Sequence, residues 1–157
     1  MIRLALIDDH PVVGAGTAAL LRDEPGLSVV GVASSIDAGR DAGLLDPGRV
    51  DVLLLDIRLG SASGLDLLAD PAAGLPAVIV LTAYDYPQYA DAALRLGAAG
   101  FVLKTAPLPE LTDAVRRVAA GGLAFAVRPS AAGRRHLTAR ERDIVRLVVD
   151  GLSLIHI

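Results

Sequence analysis

Cysteine is absent from all 157 residues, which excludes disulfides and thiolate metal sites and fits a reducing compartment. Tryptophan is absent too, and aromatics make up only 3% of the chain, so a core has to be built from Ala, Val, Leu and Ile. No apolar stretch reaches the roughly 20 residues that a membrane span requires. The apolar opening from Ile2 to Ile7 is too short for the core of a signal peptide, and it runs straight into Asp8 and Asp9. These absences lead us to expect a soluble cytoplasmic protein with no membrane partner.

What is present is a chain that is 53% hydrophobic, too apolar to remain disordered. Its length allows one core of about 120 residues and a smaller piece beside it. The net charge of -3 is unevenly spread. Residues 1–120 hold nine Arg and Lys against fifteen Asp and Glu, whereas residues 121–157 hold six Arg against three acids. An acidic front and a basic tail suggest two functions on one chain.

Apolar runs alternate with helical patterns along the first 120 residues. Strands are expected at 2–7, 27–33, 50–55, 77–81 and 100–103. The third and fourth are nearly continuous apolar runs, as in strands buried on both faces of a parallel sheet. Helices are expected at 12–22, 36–45, 65–69, 87–96 and 108–120, with Pro11 opening the first and Ser34 or Ser35 capping the second. Gly97 marks the end of the fourth, and Gly121 with Gly122 closes the fifth. Five strands alternating with five helices imply a doubly wound α/β fold, whose ligands sit beyond the carboxyl ends of the strands. Residues 121–136 read as a linker. A new helix then opens on the capping box Thr138-Ala-Arg-Glu141, with an apolar stripe of Ile144, Val145, Leu147 and Val148.

Polar residues follow the strands in a telling order. Asp8 and Asp9 follow the first, Asp56 the third and Thr82 the fourth, while Lys104 ends the fifth. Each alone reads as a turn, a cap or a solvated charge. Together they would meet on one sheet edge, where three carboxylates repel unless a cation offsets them. Hard oxygen ligands at an open site suit Mg²⁺. A carboxylate there can attack phosphorus, and Mg²⁺ with the Lys104 ammonium can neutralise the phosphoryl oxygens. The Thr82 hydroxyl can donate to the product phosphate.

The strings Leu6-Ile7-Asp8-Asp9-His10-Pro11, Asp51-Val-Leu-Leu-Leu-Asp56-Ile-Arg58, Leu81-Thr82-Ala83 and Gly97-Ala-Ala-Gly-Phe101-Val-Leu-Lys104 closely resemble receiver domains of two-component response regulators, over about residues 1–120. The resemblance implies a flavodoxin-like five-stranded parallel sheet of order 2-1-3-4-5 and a phosphorelay. Asp56 would accept a phosphoryl group from a sensor histidine kinase. Asp9 would hold Mg²⁺ directly with Asp56 and the backbone carbonyl of Arg58, and Asp8 would act through a water. Thr82 and Phe101 would be the switch pair, Phe101 swinging inward once Thr82 moves to the phosphate, which would favour a homodimer or free a DNA-binding domain. His136-Leu-Thr-Ala-Arg-Glu and the residues to Ser153 resemble the start of a LuxR/NarL-type helix-turn-helix domain, so the chain reads as a transcription regulator and not an enzyme.

The departures are Leu59-Gly60, where the family commonly has Met-Pro, and a short segment at 69–74 that implies a stubby third helix. After Ser153 the family continues towards its recognition helix, whereas this chain reads Leu-Ile-His-Ile157. Leu152 to Ile157 is also what a transposon-end sequencing adapter encodes in one frame. The expectation is that the reading frame passes into adapter there, a natural end being the alternative. The sequence as given is then expected to lack specific DNA binding, and DNA is expected as a partner of the full-length regulator alone. Three rival readings fit the sequence less well. An Asp-nucleophile phosphatase needs a second acid where Arg58 stands. A flavodoxin-like nucleotide binder needs a Gly/Ser/Thr-rich cradle where Asp8 and Asp9 stand. A stand-alone receiver would act by protein contact alone, against the helix-turn-helix resemblance. His10, His136 and His156 do not fall at metal-ligand spacing.

Overall fold

The structure is a computed structural model that describes residues 1–59, 62–70, 72–83 and 86–125. The helix-turn-helix start, His136, His156 and the last residues lie outside the described part, as does the expected linker beyond Phe125.

The elements run β1 (Ile2–Ile7), α1 (Pro11–Arg22), β2 (Leu27–Ala33), α2 (Ile36–Asp41), β3 (Val52–Asp56), β4 (Arg58–Leu59), β5 (Ala62–Ser63), α3 (Gly64–Ala69), β6 (Ala77–Thr82), α4 (Pro87–Arg95), β7 (Gly100–Leu103), α5 (Leu108–Ala119) and β8 (Ala124–Phe125). The sheet order is β2-β1-β3-β6-β7-β8, every neighbouring pair parallel. The five expected strands are thus joined by a sixth. Ala124 and Phe125, within the stretch read as linker, pair with Gly100 and Phe101. Two residues are too few to show a period, which is why this edge was not legible in the sequence.

The central strands are buried on both faces, and successive side chains alternate between two cores. Ile7, Leu53, Leu55, Val78, Val80 and Phe101 pack on one face, against Leu65, Tyr89, Ala90 and Ala93 of α3 and α4. Leu4, Leu6, Val52, Leu54, Ile79, Leu81 and Val102 pack on the other, against Leu21 of α1 and Leu111, Ala114, Val115 and Val118 of α5. Each fully buried aliphatic side chain contributes about 1.5–3 kcal/mol, so both helix layers are fixed by the same strands. Among the described residues, no helix is long and apolar enough to cross a membrane.

Helix ends follow local chemistry. Pro11 stands at the start of α1, and the Ser35 hydroxyl accepts from the Ala38 amide at 3.1 Å. Gly97 has φ +97°, and the Ala98 and Gly97 amides donate to the Ala93 and Leu94 carbonyls, closing α4 as expected. The same device shortens α2. Gly43 has φ +77°, and the Leu44 and Gly43 amides return to Gly39 and Arg40. The helix therefore stops at Asp41 and not at 45, and the buried Leu44 and Leu45 pack as a turn. α3 is six residues long, stubby as anticipated.

Candidate functional site

From β1 the chain passes to β2 on one side and then crosses back to β3 on the other, so the strand order reverses at β1. The crevice at such a reversal opens at the carboxyl ends of the strands. Register decides what meets there. Ile7 pairs with Leu55, so the next residues, Asp8 and Asp56, come side by side. The Lys104 amide extends the β6–β7 ladder by donating to the Thr82 carbonyl at 2.7 Å, which brings Lys104 to the same edge.

Asp8 and Asp56 are buried, Asp9 is half-buried, and one ligand atom from each of Asp8, Asp9, His10 and Asp56 lies within 4.8 Å of the others. Lys104 bridges the two buried acids, with Nζ 2.7 Å from Asp56 Oδ2 and 3.0 Å from Asp8 Oδ2. It is the only lysine in the chain, the other fourteen basic residues being Arg. A compact ammonium can sit between two carboxylates where a planar guanidinium fork cannot follow as easily. The Asp56 Oδ1 accepts from the Arg58 amide at 3.3 Å, and the Asp8 Oδ1 accepts from the His10 amide at 2.9 Å. That second bond is an Asp-initiated turn that carries the chain from β1 into α1.

The charges are not balanced. Burial pushes the Asp56 carboxyl up; Lys104 opposes this without cancelling it, and the Asp8 charge adds to the rise. Burial works on Asp8 in the same sense, but the His10 amide and the Lys104 ammonium outweigh it and hold Asp8 below the ordinary value. Burial alone would lower Lys104; its contacts with Asp56 and Asp8 raise it instead. Three carboxylates thus face one ammonium, and a divalent cation would supply the missing charge in a set of oxygen donors suited to Mg²⁺. The residues present fit such an ion.

Asp8, Asp9, Asp56 and Lys104 therefore come together where the sequence put them. Arg58 reaches Asp56 through its amide. Thr82 is fully buried at the end of β6 and joins the site through its carbonyl bond to Lys104. Phe101 is fully buried too, paired with Val80 and Phe125 and packed in the core on the α4 side. An inward swing of Phe101 has no exposed starting point in this conformation; the ring is already inside.

Two contributors were less legible. His10 follows the acidic pair in the family string without a role of its own, yet its Nδ1 approaches all three acids: 3.0 Å from Asp9 Oδ1, 3.3 Å from Asp8 Oδ1 and 3.8 Å from Asp56 Oδ2. Gly64 is the second. A Cβ at Gly64 would collide with the Asp56 carbonyl oxygen, and the Gly64 amide donates to the Ile57 carbonyl at 2.8 Å. The start of α3 is thereby pressed against the backbone that presents Asp56. A lone Gly after Ser63 carries no signal of this in the sequence.

Comparison with known proteins agrees with this geometry. The family description "Response regulator receiver domain" matches residues 4–116. The transcriptional regulatory protein UhpA of Salmonella typhimurium is 40% identical over 159 residues, covering 98% of this chain and 79% of the relative. The DNA-binding transcriptional activator DevR/DosR of Mycobacterium tuberculosis is 32% identical over 168 residues, covering 98% and 76%. Among solved structures, a LuxR-family two-component response regulator from Aurantimonas superposes with a TM-score of 0.68 at 27% identity, over 78% of this chain and 87% of that one. A receiver-family match over most of the chain, on a parallel sheet with acids and a lysine at its switch point, makes this chain a response regulator of the LuxR/NarL class, whose members regulate transcription.

Proposed function

We propose that Asp56 is the phosphoacceptor of this response regulator and that a sensor histidine kinase is its donor. An Asp56 carboxylate oxygen attacks phosphorus, the phosphorus–nitrogen bond of the donor's phosphohistidine breaks, and the electron pair stays on the imidazole nitrogen. Asp8, Asp9, Asp56 and the Arg58 carbonyl would hold Mg²⁺, which when bound supplies positive charge against the phosphoryl oxygens. Lys104 pairs with a phosphoryl oxygen in place of the Asp56 oxygen it now holds, and the Thr82 hydroxyl donates to another. The new charge and acceptor oxygens bias a two-state equilibrium by their differential contacts in the two states. The change passes along β6 and β7, towards Phe101 and α4, and favours a homodimer or releases DNA-binding residues in the cytoplasm.

The observation that carries this reading is the Lys104 ammonium lying between Asp56 and Asp8 at hydrogen-bond distance from both. The test is incubation with acetyl phosphate and Mg²⁺ followed by intact mass. One labile phosphoryl adduct is expected, absent in Asp56→Asn and not formed when EDTA is present during the incubation. Undiminished labelling of Asp56→Asn, or labelling that ignores EDTA, overturns the assignment.

A further inference from the structure

We propose that the His10 imidazole is a nitrogen ligand of the acidic pocket, so that the pocket holds borderline divalent ions such as Co²⁺ or Zn²⁺ more tightly than Mg²⁺. This rests on the reading of the pocket as a divalent cation site. It goes further in naming a fourth side chain and the class of ion that this side chain selects.

The placement of His10 is unlike that of a residue serving the helix. It stands at the N-cap of α1, yet its side chain makes no cap hydrogen bond. Its ring instead turns back over β1, where Nδ1 converges on carboxylate oxygens of Asp9, Asp8 and Asp56 at 3.0, 3.3 and 3.8 Å. A ring held by one hydrogen bond would need one partner. This one faces the common focus of three. Ligand atoms on opposite sides of a divalent ion lie about 4.2 Å apart; the four donor atoms here lie within 4.8 Å of one another, so small side-chain rotations close the set. The rest of the ring is open to solvent, its side chain being 62% exposed, which leaves a path for ion exchange.

Ligand type then decides selectivity. An all-oxygen pocket with waters suits Mg²⁺, which is reluctant to lose its hydration. Imidazole nitrogen raises the affinity of the later first-row ions and does little for Mg²⁺. Replacing imidazole with an amide at His10 should therefore alter the ratio between the two classes and leave Mg²⁺ binding near its original value.

The experiment uses the full chain with Co²⁺ and Mg²⁺ as separate probes, titrated calorimetrically on the wild type, His10→Asn and Asp9→Asn. Co²⁺ is expected to bind at least about tenfold more tightly than Mg²⁺ in the wild type, and His10→Asn to lose most of that advantage while Mg²⁺ affinity stays within about threefold. Proton NMR of the Co²⁺ form should show a hyperfine-shifted, solvent-exchangeable imidazole proton that is missing in His10→Asn. A shifted proton that survives in His10→Asn, or an unchanged Co²⁺-to-Mg²⁺ ratio in that variant, overturns the proposal. Should Asp9→Asn leave Mg²⁺ binding intact, the divalent pocket itself is misread and this inference goes with it; loss of Mg²⁺ in Asp9→Asn with no effect of His10→Asn defeats only the role of His10.

Discussion

β1 and β3 carry charged groups at both of their ends, and the two ends are built on opposite plans. At the amino end, one base meets one acid. Asp51 accepts from the Arg3 backbone amide at 2.8 Å, from Nε at 3.2 Å and from Nη2 at 2.9 Å, and Arg3 also donates to the Gly48 carbonyl. Charge is matched, the fork geometry is satisfied, and the pair stays partly in water. At the carboxyl end, Asp8, Asp9 and Asp56 share one Lys104, and the two acids nearest the lysine are buried. Matched charge at one end clips two strands together. Excess charge at the other is held against its own repulsion by the fold, and this is the surplus that a cation and then a phosphoryl group can use.

The largest effect is expected from the backbone support of the strained end. Gly64→Ala places a carbon against the Asp56 carbonyl, and relief requires moving either α3 or the backbone of Asp56 itself. Overpacking of this kind costs about 1–3 kcal/mol. Denaturant unfolding should show a loss at the upper end of that range, together with slower labelling by acetyl phosphate. An unchanged midpoint with unchanged labelling means that α3 moves away freely and does not brace the site.

A cation should act on one end alone. Mg²⁺ at a hundredfold excess over its dissociation constant stabilises a folded protein by about 2.7 kcal/mol. That gain should be seen in thermal melts of the wild type and of Asp51→Asn, and should vanish in Asp9→Asn. Equal stabilisation of all three would place the ion elsewhere.

Much of this division was readable beforehand. The near-continuous apolar runs of β3 and β6 announced a parallel sheet, and the polar residue after each run announced its functional edge. Asp8, Asp9, Asp56 and Lys104 were legible because a strand end has a fixed direction and the sheet gathers such ends in one row. Phe101 shows where this reasoning stops. A hydroxyl and an aromatic at the family spacing resemble a switch pair, but the spacing does not say where the ring lies, since that depends on packing in the core it shares with Tyr89, Ala90 and Ala93 of α4. Gly64 and β8 were illegible for a different reason. Their meaning lies in one close approach and one two-residue pairing, neither of which leaves a periodic trace.

Neutralising single acids should separate the ends without any ion. Burial raises Asp56, so its charged form is disfavoured by folding at neutral pH. Asp56→Asn should then be more stable than the wild type in EDTA, by about 1 kcal/mol, as is common when a functional site is relieved of its strain. Added Mg²⁺ should narrow or reverse that order, because the variant loses a ligand. A destabilised Asp56→Asn in EDTA would mean that its bond to Lys104 outweighs the surplus charge.

The smallest effect belongs to the matched end, and its sign is the opposite. Hydrogen bonds from the Arg3 side chain and amide hold the Asp51 carboxyl down to about 2. A depressed carboxylate adds stability that is fully present above its unfolded value near 4 and disappears as pH falls through the folded value. For Asp51 the window runs from about pH 4 down to about pH 2. Asp51→Asn should therefore lower stability modestly at pH 7, since the pair is partly exposed and screened by salt. It should also make the acid limb of the stability curve shallower between pH 4 and pH 2, because the variant has no proton to take up there. Urea midpoints measured through that range at low and moderate salt provide the check. An acid limb identical to that of the wild type would show that the Arg3 clip contributes nothing to the folded state, and that the contrast between the two ends of the sheet rests on the buried acids alone.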